Sequence, residues 1–111
     1  MKFGDIYLVN CDPSVGHEYR KVRPAVVVQM EEIDKISPLV TVMPVSSQVE
    51  KFNSHDVFVE KDKKNRLSKD SIIRVQHISS YDRSRFISKI GEANSPTLRK
   101  VRGYLRKHFG L

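Results

Sequence analysis

Disulfide chemistry is the first thing this chain lacks the means for. Cys11 is the only cysteine among 111 residues, so no internal cross-link can form. A zinc site would have to draw on scattered histidines and carboxylates that show none of the usual ligand spacings, and neither a metal nor a cofactor is expected. Long apolar runs are missing too. The longest, Ala25 to Val28, falls far short of the roughly 20 residues that span a bilayer, and the N-terminus has no basic-then-apolar targeting pattern. The expectation is a cytoplasmic protein without membrane contact. Disorder is excluded from the other side: 39% hydrophobic and 30% charged residues are the proportions of a folded globule. At this length residues 1–111 read as one domain, with room for a core but none for a separate cofactor domain.

Acids are the minority charge. Thirteen Asp and Glu stand against 20 Lys and Arg, a formal charge of +7. Such an excess favours polyanions through phosphate contacts and counterion release, and makes nucleic acid the natural partner.

Apolar and polar positions alternate in Asp5 to Asn10, which predicts a strand, and Asp12-Pro13 with Gly16 predicts a long loop after it. Pro24 to Met30 is apolar and β-branched, as in a strand buried on both faces, with Pro24 at its first position. A polar turn over residues 31–38 leads to a strand from Leu39 to Val45, whose pairing Pro44 interrupts, and Ser46 and Ser47 open the next loop. Further strands are expected at Asp56 to Glu60, Ser71 to Ile78 and Phe86 to Gly91, with an exposed charged connection over 61–70. Ser95 as cap, Pro96 in the first turn, Leu98, Val101 and Leu105 at helical spacing, and Gly110 past the end predict one closing helix. Its cations, Arg99, Lys100, Arg102, Arg106 and Lys107, read as a solvated face. Short strands followed by a single helix suggest a small antiparallel barrel covered by that helix.

Within "KVRPAVVVQM" a guanidinium, Arg23, precedes a buried strand by two residues. Alone, such an arginine reads as an edge residue in solvent. Taken with "GDIYLVNCDP", "GHEYRKVRPAVVVQ", "VMPVSSQ" and "LSKDSIIRVQHISSYDRSR", in order and spacing over nearly the whole chain, it resembles the MazF/PemK family of bacterial toxin endoribonucleases. The resemblance implies an SH3-like antiparallel β-barrel with a C-terminal α-helix, mainly β in class. It also implies a homodimer, an acidic antitoxin peptide as partner, and metal-independent cleavage of single-stranded mRNA to 2′,3′-cyclic phosphate and 5′-hydroxyl ends. The family's catalytic arginine falls on Arg23, and its threonine falls on Ser46. A serine keeps the hydroxyl and loses the methyl that restricts the rotamer, and the adjacent Ser47 leaves open which hydroxyl acts.

The chemistry suits the residue types. When a 2′-hydroxyl attacks its own phosphodiester, extra negative charge builds on phosphorus, and a preorganised guanidinium can hold two phosphate oxygens at once while staying charged. Arg23 is therefore expected as an electrostatic catalyst rather than a base, since its neutral form is negligible near neutrality. Glu18 either orients Arg23 or serves as the base, and otherwise neutralises Arg20 or Lys21 at the surface. His17, which titrates near neutrality, is a proton carrier, an RNA contact or plain surface. Tyr19 offers a face for an unpaired base, and Lys21 a phosphate contact. Gln76 reads a base edge or serves the barrel's polar interior; the acidic residue that precedes it in the family is replaced by Val75. Two other functions compete: a CcdB-like gyrase-inhibiting toxin and a noncatalytic RNA-binding SH3-like module.

Overall fold

The computed structural model describes residues 1–11 and 22–111. Seven strands form one antiparallel sheet: β1 (Asp5–Asn10), β2 (Val22–Val27), β3 (Leu39–Ser46), β4 (Asp56–Val59), β5 (Ser71–Arg74), β6 (Ser79–Asp82) and β7 (Phe86–Glu92). A single helical turn, α1 (Glu31–Asp34), lies in the expected polar turn, and α2 (Ser95–Phe109) closes the chain. Spatial order is β4-β5-β3-β2-β1-β7, with β6 also on β3. No pairing joins β4 to β7 among the described residues, so the barrel is an open one.

The strand β3 organises this arrangement by changing neighbours partway along. Residues Leu39 to Val42 pair with β6, whereas Val45 and Ser46 pair with β5. Met43 and Pro44 occupy the gap between the two ladders. A proline belongs where a ladder is interrupted, because it has no N–H to contribute. Pro44 nevertheless stands opposite Ala25 on the β2 side.

Alternation along β2 and β3 sends side chains to two faces, and both faces are buried. Val26, Met43 and Val45 join Ile6, Val57, Ile73 and Val101 in one core, packed under α2. Ala25, Val27, Val40 and Val42 join Val9 and Cys11 in a second, bordered by Tyr7, Tyr81 and Phe86. This is the two-sided burial that the valine run predicts.

Three expectations need correction. The strand expected over Ser71 to Ile78 breaks after Arg74 into a 3-10 turn, Val75–His77, and resumes as β6. The turn carries the chain from the far half of β3 to its near half, which no straight strand could do. Strand β2 begins at Val22, so Pro24 is its third residue, paired to Leu8 of β1 but placed just before the β3 ladder starts at Ala25. The helix is capped by Asn94 and not Ser95: the Asn94 side chain accepts from Thr97 N at 2.9 Å, which puts Pro96 at a first-turn position where no N–H is missed. Gly110 ends the helix in the left-handed conformation at φ +68°.

Candidate active site

Two motifs far apart in sequence meet because of strand register. Ala25 pairs with Pro44, Val26 with Met43 and Val27 with Val42. Carried two residues further, the same register brings Arg23 level with Ser46. The ladder stops before that point, at Ala25 and Pro44, while the other edge of β3 pairs with β5 through Val45 and Ser46. Beyond the end of the ladder, residues of both strands line a cleft of about 380 Å³.

Arg23, Pro24, Ser47 and Ser71 line this cleft together with the apolar side chains of Leu8, Val45 and Ile90. Arg23 is half-buried and paired through its backbone to Val9, in the second core, so its anchor is rigid. The two serines divide. Ser46 is 3% exposed, and its Oγ accepts a hydrogen bond from Gln48 N at 3.1 Å, closing the turn at the end of β3. Ser47 is exposed and faces the cleft alongside Arg23.

The connection between β4 and β5 supplies the remaining wall through Arg66, Ser68 and Lys69. Three cations and no carboxylate thus stand among the described residues around the opening. The sequence reading of this connection as a charged, exposed run agrees with the exposure of Arg66 and Lys69, but it named neither as a site residue. Its one usable signal was the pairing of Asp62 and Asn65, two turn-forming side chains three positions apart, within a run otherwise dominated by charge.

Glu18, His17, Tyr19 and Lys21 lie outside the described residues. Gln76 is described, and it sits at the other end of β5 from Ser71, exposed in the 3-10 turn. There it lines a separate cleft of about 140 Å³ with His55, Tyr104, Lys107 and His108. The structure therefore brings Arg23 and Ser47 together, sets Ser46 beneath them, and places Gln76 apart. Next to Gln76, His77 is half-buried; desolvation, with Arg74 nearby, lowers its pKa from 6.5, against a smaller opposing effect of Asp56. Arg74 itself pairs with buried Asp56 at 3.2 Å.

Among the described residues no cluster of three His, Cys, Asp or Glu could hold a metal ion, and no helix is long and apolar enough to cross a membrane.

An open antiparallel sheet closed by one helix, with a cationic cleft where two strands part, defines a small mainly-β protein equipped to hold an anion. Residues 2–109 match the model of the PemK-like, MazF-like toxins of type II toxin-antitoxin systems. The chain belongs to this toxin family. It is 31% identical to the Endoribonuclease MazF of Staphylococcus saprophyticus over 113 aligned residues, covering 100% of this chain and 92% of that protein. Its fold superposes on MazF from Deinococcus radiodurans with a TM-score of 0.85 at 28% identity, covering 100% of this chain and 97% of that one. A MazE-MazF structure from the same organism superposes with a TM-score of 0.78 at 26% identity, over 100% and 96% of the two chains.

Proposed function

We propose that this chain is the toxin of a type II toxin-antitoxin pair and acts as an endoribonuclease on single-stranded mRNA. The observation that carries the reading is the cleft that Arg23 and the exposed Ser47 both line where the β2–β3 ladder ends. It is joined by the likeness, over the full chain, to a protein named as an endoribonuclease.

A phosphodiester seated at Arg23, in a cleft that Lys69 also lines, has its charge matched before reaction. Attack by the 2′-oxygen forms a new P–O bond and a pentacovalent phosphorane; departure of the 5′-oxygen then leaves a 2′,3′-cyclic phosphate and a 5′-hydroxyl. The guanidinium of Arg23 stabilises the charge that builds on the phosphorane oxygens, and a donor preorganised for such charge contributes about 10²–10³ in rate. Ser47 donates its hydroxyl hydrogen to a phosphate oxygen, while Ser46 fixes the strand end that presents it. Glu18 accepts the proton of the 2′-hydroxyl and, once protonated, returns it to the departing 5′-oxygen, with His17 as its rival for proton transfer, and Tyr19, Lys21 and Gln76 contact the RNA beyond the scissile group. Cation charge of this kind does the electrostatic work without a metal ion.

A homodimer, a cytoplasmic location and an acidic antitoxin peptide as inhibitor complete the proposal. The last is supported by the formal charge of +7 and by the MazE-bound relative.

The test is incubation of the purified protein with a long single-stranded transcript in EDTA, followed by mapping of fragment ends. Discrete cuts ending in cyclic phosphate are expected. Arg23→Ala should reduce the rate by about 10²–10³ with an unchanged fold. Ser47→Ala should lower the cleavage rate at wild-type stability, while Ser46→Ala should lose about 1 kcal/mol of stability through its missing turn bond. Intact RNA in the presence of folded wild-type protein would overturn the nuclease reading.

A further inference from the structure

Arg66 holds the backbone in a place where arginine gains nothing by being. Its φ is +55°, the one positive value among the described non-glycine residues. Glycine enters this left-handed region freely, whereas a side chain with a Cβ meets the neighbouring carbonyl there. Such strain persists only where the surroundings dictate it.

The surroundings here are Asn65 and Asp62. Asn65 is 1% exposed. Its Oδ1 accepts from Asp62 N and Leu67 N, both at 3.0 Å, and its Nδ2 donates to Glu60 O at 2.9 Å. Asp62 returns the contact by accepting from Asn65 N, and Arg66 N donates to Asp62 O at 3.0 Å. The loop is then pinned to β7: Glu92 N donates to Lys64 O at 3.0 Å, and a Cβ on Gly91 would lie only 2.5 Å from that oxygen. Every free choice is removed one residue before Arg66, and the residue so placed lines the cleft of Arg23.

We propose that Arg66 is a second phosphate-binding residue, which grips the RNA backbone phosphate next to the one held at Arg23, from a loop whose strain is tolerated for that contact. The proposal rests on the nuclease reading for the identity of the anion. It does not depend on cleavage for its test.

Arg66→Gly separates strain from function, because glycine adopts the observed φ at no steric cost while removing the guanidinium. Arg66→Lys keeps a cation at the same position. Thermal unfolding is measured for each variant. Binding is measured by fluorescence anisotropy across a salt series, using a labelled single-stranded RNA pool of mixed sequence whose riboses are 2′-O-methylated and therefore lack the nucleophile. Cleavage of ordinary RNA is followed alongside.

The expected result for Arg66→Gly is a Tm at or above wild type with roughly tenfold weaker binding. The plot of log affinity against log salt should become shallower by about 0.7, the value for one lost phosphate contact on a single strand. In cleavage the loss should appear mainly in KM, and Arg66→Lys should recover the salt slope. Unchanged affinity and slope in Arg66→Gly, with normal cleavage, would overturn this inference and leave the nuclease reading standing. Arg66-dependent binding by a wild-type protein that cuts nothing would support the contact and overturn the nuclease reading instead. A wild-type protein that neither binds nor cuts would overturn both.

Discussion

His77 illustrates how little a single residue's chemistry can be inferred from its position in the chain. It follows Gln76 in the 3-10 turn after β5, which half-buries it, and desolvation lowers its pKa below 6.5, aided by Arg74. The unfolded chain therefore takes up this proton at a higher pH than the folded one. Stability linked to His77 is fully present above pH 6.5 and declines as pH falls from there through the lower native value. Thermal melts of wild type and His77→Gln should diverge on this account: the wild-type Tm should drop more steeply on acidification from about pH 7 to about pH 5. At the same scale Arg23 stood out in the sequence only through the motifs around it, since a lone arginine ahead of a strand reads as an edge residue in solvent. The different settings of Ser46 and Ser47 were not legible, since the two are adjacent serines and only burial of the first and its turn bond to Gln48 separate them.

At the scale of elements, period-2 patterning located the strands well, and helical spacing located α2. What it could not show was the break after Arg74, because Val75 and Ile78 continue to look apolar whether or not the ladder does. Nor could it show that the connection over 61–70 docks on Gly91, a contact between backbones that leaves no trace in composition. Glycines make the point testable. Gly4 has φ +97° where the chain enters β1, and a Cβ there would stand 2.7 Å from Leu98 Cδ1 on α2. Gly103 lies on the exposed side of α2 with nothing within 4 Å of an added Cβ. Identical substitutions should therefore have opposite signs. In urea unfolding, Gly4→Ala should cost about 1–3 kcal/mol, and Gly103→Ala should add about 0.5–1 kcal/mol.

For the molecule as a whole, the family likeness and the fold were both foreshadowed by the sequence, since four ordered motifs and a cationic surplus constrain more than any one of them. A barrel with an open side or end was expected, but which two strands border the opening, β4 and β7, was beyond reach, because that depends on how far the sheet bends and not on which residues alternate. The same sheet holds two cores, and β3 belongs to both: Val40 and Val42 to one, Met43 and Val45 to the other. Neither core can melt while β3 stays in place for its partner. Unfolding should accordingly be a single cooperative event: the near-ultraviolet signal of Tyr7 and Tyr81, at the second core, and the far-ultraviolet signal of α2, over the first, should change with one common midpoint in urea. Separate midpoints would refute this. A strand shared in this way leaves the cleft at its end no intermediate in which to survive, so loss of the cleft and loss of the fold are the same event.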